Sequence, residues 1–293
     1  MCHCASCWTR LPAVAYSMPH AGRSRVLPMY RKGWCLMMRL HVAVVALAVA
    51  GLAAVFAPGY ASADEAAQQG RAVFDAVKGD VITIEAVISV SYGQEEQEDK
   101  QEANATVISP DGLAVLSLSA IDPTSIIQSM GDGSKDVTTK LVSLKMVFAE
   151  GSESPAEVVL RDKDLDLAFV RPTVKPEKPL ACVGLDNAAS AALLDPVVVI
   201  GQLGAVAQRT HVAFIDRVEG LVEKPRKFYI LGEHRARQVV CSPVFTMDGK
   251  FVGIGVMRAV KTDLNAMGDN VLVVVVPGDQ IKDLVAQVPA RKE

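Results

Sequence analysis

The chain has 293 residues, half of them hydrophobic, with 30 Lys and Arg against 33 Asp and Glu. No acidic residue precedes Asp64, so residues 64–293 hold 24 basic against 33 acidic side chains, a net charge of −9. That balance excludes nucleic acid as the main partner, because phosphate binding needs a concentrated positive face.

Residues 1–36 contain Cys2, Cys4, Cys7 and Cys35 with His3 among them. These are zinc-ligand types, but their spacing lacks the second pair that a zinc module carries. The segment is expected to lie upstream of the true start, at Met37 or Met38. Met37-Met38-Arg39, the apolar run Val42 to Ala57 and Ala61-Ser62-Ala63 then compose a signal peptide over 37–63, cut after Ala63. The run falls short of the ~20 residues of a membrane anchor. The protein is therefore expected to be exported, periplasmic or extracellular, with no membrane span once the leader is removed.

Residues 64–78 read as a helix. From Val81 the period changes to two: Ile82, Ile84, Ala86, Ile88 and Val90 alternate with Thr83, Glu85, Val87 and Ser89, a strand with one apolar face. The Glu- and Gln-rich stretch from Gln94 to Glu102 reads as a solvated hairpin loop. Short apolar runs follow at 105–109, 113–118, 141–148, 156–160, 165–170, 197–200, 212–215, 251–257 and 271–276. Turn signals such as Pro110-Asp111-Gly112 and Met247-Asp248-Gly249 separate many of them, a pattern of all-β sandwiches and barrels. Pro172, Pro176 and Pro179 mark 172–179 as a linker between two β units, 64–171 and 180–290. Ile281, Leu284, Val285 and Val288 predict a closing helix. Cys182 and Cys241 are left to pair or to stand as buried thiols.

Three segments carry a resemblance. They are Val107-Ile108-Ser109-Pro110-Asp111-Gly112-Leu113-Ala114-Val115-Leu116, then Asp164 to Val170, then Pro243-Val244-Phe245-Thr246-Met247-Asp248-Gly249-Lys250-Phe251-Val252-Gly253-Ile254. In that order the chain resembles the trypsin-fold serine proteases of the HtrA type, over roughly residues 75–290. The resemblance implies an all-β fold of two six-stranded β-barrels with short N- and C-terminal helices, and no cofactor.

It also implies a triad of hydroxyl, imidazole and carboxylate. The place of the family's histidine falls on Ser119, whose hydroxyl has no useful basicity near neutral pH. The acid position is retained as Asp166. The family's Gly-Asn-Ser-Gly-Gly-Pro loop, measured back from Pro243, puts Val240 at the serine and Gln238 at the first glycine. A loop one residue shorter would put Cys241 at the serine and Ser242 at a glycine, with Arg235 and Arg237 near enough to favour a thiolate. His211 and His234 do not occupy the position that faces the nucleophile.

Asn104-Ala105-Thr106 matches a glycosylation acceptor, but it abuts a strand. Asp132 to Asp136 lacks the ordered oxygens of a calcium loop. Arg235 and Arg237 could hold an acidic peptide end. The chain thus reads as a pseudoprotease that binds an extended peptide or protein partner in the cleft between its barrels. An active serine- or cysteine-type endopeptidase and a structural envelope protein are the alternatives. Oligomeric state is not legible.

Overall fold

The computed structural model describes residues 61–92, 95–129, 137–148, 150–232, 236–259 and 271–291. Residues 1–36, all but the last three residues of the expected leader, residues 132–136, His234 and Arg235 lie outside the described residues.

Helix α1 (Ala61–Val77) leads into the first barrel, formed by β1 (Val81–Tyr92), β2 (Glu95–Val107), β3 (Ala114–Ser117), β4 (Val137–Val147), β5 (Glu153–Asp162) and β6 (Leu167–Pro172). The sheet closes in the order β1-β2-β3-β6-β5-β4. A short helix α2 (Thr124–Ser129) lies between β3 and β4. The chain then runs without strand to β7 (Pro196–Gln202), β8 (His211–Arg217), β9 (Gly220–Val222), β10 (Phe228–Ile230), β11 (Pro243–Thr246), β12 (Phe251–Ala259) and β13 (Val271–Pro277). These curl into a seven-stranded half-barrel, ordered β8-β7-β11-β12-β13-β10-β9. A one-turn helix α3 (Ala236–Val239) precedes β11, and α4 (Gly278–Val285) closes the chain.

The expected two-barrel architecture of the trypsin-like fold is present. The second unit counts seven strands because Gly220–Val222 folds back on Phe228–Ile230 as a short hairpin. One expectation is corrected: Glu95–Glu102 is not a loop but the first half of β2, paired residue for residue with β1 from Tyr92↔Glu95 to Glu85↔Glu102. Its side chains are exposed from Glu95 to Lys100, so no hydrophobic period marks it. Pairing to β1 overrides a weak strand propensity.

Period-two alternation builds three cores. Ile82, Ile84, Ile88, Leu116, Met146 and Val170 fill the first barrel. Val197, Val199, Tyr229, Val244, Val252 and Val275 fill the second. The opposite faces of the same strands meet in a third core, with Val115, Leu167, Phe169, Val198, Ile200 and Phe245 among its members. β3 and β6 are therefore buried on both faces, and their sequences are apolar almost throughout. Ile281 and Leu284 of α4, three residues apart, seat that helix on the same third core. Val73 does so for α1.

Candidate functional site

A cleft of about 430 Å³ opens between the barrels. Thr83, Asn104 and Ser119 line it from the first barrel, and Gln202, Val240 and Cys241 from the second. Side chains bridge it: Thr83 Oγ1 donates to Gln202 Oε1 at 2.7 Å, and Asn104 Nδ2 to Ser242 Oγ at 3.4 Å. The acceptor-sequence asparagine is thus engaged in the cleft, and Thr106 beside it is fully buried.

Asp166 sits in the turn that opens β6 with φ 55°, a left-handed conformation that Asp tolerates better than most side chains. Its carboxylate is ringed by donors. The Ser119 amide reaches Oδ1 at 2.8 Å, Ser119 Oγ lies 2.8 and 2.7 Å from Oδ1 and Oδ2, and the Met257 amide reaches Oδ2 at 3.1 Å. Ser117 Oγ also donates to Oδ2. Burial pushes the carboxyl above its ordinary range, and these hydrogen bonds oppose the rise. Ser119 is itself buried, on a short 3₁₀ turn, Leu118–Ala120.

Cys241 lies against the first barrel's core at 2% exposure, its Sγ accepting a hydrogen bond from the Ser117 amide at 3.4 Å. Burial pushes its thiol up to about 12. Cys182 is half-buried, and both cysteines are free thiols. The backbone after Val240 is already engaged: the Cys241 amide donates to Gly255 O at 2.7 Å and the Ser242 amide to Val239 O at 3.0 Å. Ser242 Oγ turns back to Gln238 O at 2.9 Å.

Of the histidines, only His211 is described, and it is spent on main chain, with Nε2 3.1 Å from Val81 O. It does not line the cleft. Arg237 does, on the exposed side of α3. One further cluster was invisible in the sequence: Arg209, from the β7–β8 loop, pairs with Glu85 at 2.5 Å and Glu102 at 2.8 Å. Lys100 adds a bond to Glu85 at 3.0 Å and, with Arg209, holds that carboxyl below its ordinary range. Residues 124 positions apart in sequence carry no local pattern that could reveal such a pair.

A family model described as a trypsin-like peptidase domain matches residues 103–254, more than half of the chain. The chain belongs to the trypsin-like peptidase domain family. The match spans Ser119, Asp166, Val240 and Cys241, while α1, β1, β13 and α4 of this trypsin-like domain fall outside it. No curated protein matched the chain. No helix among the described residues is long and apolar enough to cross a membrane.

Proposed function

We propose that this trypsin-like domain is an exported pseudoprotease, which holds an extended peptide or protein segment between its barrels without cutting it. The observation that carries this reading is Ser119 Oγ resting on both oxygens of Asp166, with no imidazole beside them among the described residues. On this reading Ser119 stands where the family has its histidine, Asp166 where it has its acid and Val240 where it has its serine. The φ of 62° at Cys241 supports that register, since glycine enters the left-handed region most easily and the family has glycine directly after its serine. An isopropyl group attacks nothing, and a hydroxymethyl group cannot take a proton from a nucleophile at neutral pH.

Cys241 makes a poor substitute. A thiol raised to about 12 is ionised in roughly one molecule in 10⁵ at pH 7, and the thiolate is the attacking form. Gln238, whose amide together with that of residue 240 would form the oxyanion hole, is drawn into the helical turn Ala236–Val239. What remains is a polar cleft with strand edges, suited to backbone recognition.

The test treats the purified protein with a fluorophosphonate probe and a thiol-directed probe, with casein as substrate. No site-selective labelling and no casein loss are expected. Turnover abolished by Cys241→Ala or by His234→Ala would overturn the inactive reading. Export is checked by sequencing the N-terminus of the secreted protein, expected at Asp64.

A further inference from the structure

Strand β2 is 13 residues long, yet only Thr106 and Val107 pair with β3. From Glu95 to Ala105 its outer side meets no other strand among the described residues. An antiparallel strand paired on one side directs the N–H and C=O of alternate residues outward. That open edge runs into the cleft, whose wall includes Gln101, Glu102, Ala103 and Asn104. Residues 95–104 give it a length of about 33 Å.

Proteins ordinarily blunt such an edge with lysine, proline, a bulge or a covering element. β2 has neither a proline nor a bulge. Its register with β1 is unbroken, and its one lysine, Lys100, is tied to Glu85 at 3.0 Å. The edge carries carboxylates instead. Glu96 accepts from Ser89 at 2.5 Å, and Glu102 is held by Arg209 and by the Ala205 amide. Glu95, Glu98 and Asp99 are exposed and have no basic partner among the described residues.

We infer that the free edge of β2 accepts an added strand from a basic peptide or protein segment, which enters the cleft along residues 101–104. This rests on the peptide-holding reading above and names the charge of what is held. Main-chain hydrogen bonds supply the docking, and Glu95 and Asp99 on one face of β2, with Glu98 on the other, select lysine or arginine on the added strand. An anionic segment is repelled from the same edge.

Four labelled ten-residue peptides test it by fluorescence anisotropy at low salt. One alternates Lys and Val, one has Glu for Lys, one has Gln for Lys, and one is the Lys peptide N-methylated at alternate amides. Hydrogen exchange of the protein is followed in parallel. The Lys peptide is expected to bind about tenfold more tightly than the Gln peptide. Amides within 95–104 should slow on binding, and the N-methylated peptide should fail. The triple variant Glu95→Gln/Glu98→Gln/Asp99→Asn should lose the tenfold preference while keeping affinity for the Gln peptide. Equal binding of Lys, Gln and Glu peptides would refute the basic partner and leave the groove standing. Undiminished binding of the methylated peptide, or protection confined to another edge such as β8, would refute strand addition at β2. Failure of all four peptides would remove the groove reading as well.

Discussion

Asp166 answers to four donors, the Ser117 and Ser119 hydroxyls and the Ser119 and Met257 amides, and to no base among the described residues. Truncating it strands the Ser119 and Met257 amides in a buried site. Asp166→Ala is expected to lower stability by about 2–4 kcal/mol, read as the shift of a urea midpoint. Restoring the family's chemistry piecemeal should fail. In Ser119→His/Val240→Ser, fluorophosphonate labelling is expected to stay at background, because Gln238, at the family's oxyanion glycine, stays in the helical turn Ala236–Val239. Asp80 offers a pH-dependent readout. It is 6% exposed, and burial pushes its carboxyl up to about 6 from an unfolded value near 3.8. A carboxyl raised in the folded state opposes folding once ionised there. Its penalty is full above pH 6, shrinks as pH falls and vanishes below about 4. Asp80→Asn should therefore raise the melting temperature at pH 8, by the equivalent of up to about 3 kcal/mol, and leave it unchanged at pH 3.5. Ser119, Asp166 and Val240 could be picked out as candidates from contiguous motifs, and the structure sets Ser119 against Asp166 and puts Ser119 and Val240 on the cleft wall. Ser117, Met257 and Arg209 could not, since their partners are set by strand pairing and loop placement far along the chain.

β12 shows how one element constrains another. A Cβ on Gly255 would lie 1.9 Å from Val239 O, at the end of α3, and the same backbone accepts the Cys241 amide. Either β12 or the α3–β11 turn would have to move. Gly255→Ala is expected to cost about 3 kcal/mol or more, measured by chemical denaturation, and to disturb Cys241 and Val240 with it. Strands with one or two buried faces announced themselves by period two or by unbroken apolar runs, which is why β1, β6, β7 and β12 were readable. β2 was not, because its first half has no buried face and its stability comes from β1. β9 and β10 were missed for a related reason: three-residue strands are too short to show a period.

The two barrels are joined by a common apolar core and by polar bridges across the cleft, Thr83 to Gln202, Asn104 to Ser242 and Arg209 to Glu85. Leu203 and Gly204 stand on the cleft wall in the loop that Arg209 ties to the first barrel, so that wall is fixed by charge. The carboxylates along β2 have a colloidal consequence too. While they are ionised, copies of this ribbon push one another apart in solution. With the unpaired ones neutralised, as in Glu95→Gln/Glu98→Gln/Asp99→Asn, that mutual repulsion weakens and a bare ladder edge of about 33 Å is left able to stack on its neighbours. At high protein concentration and pH 7, light scattering should rise for that triple variant and stay flat for the parent, the acidic fringe serving as the molecule's own safeguard against cross-β assembly.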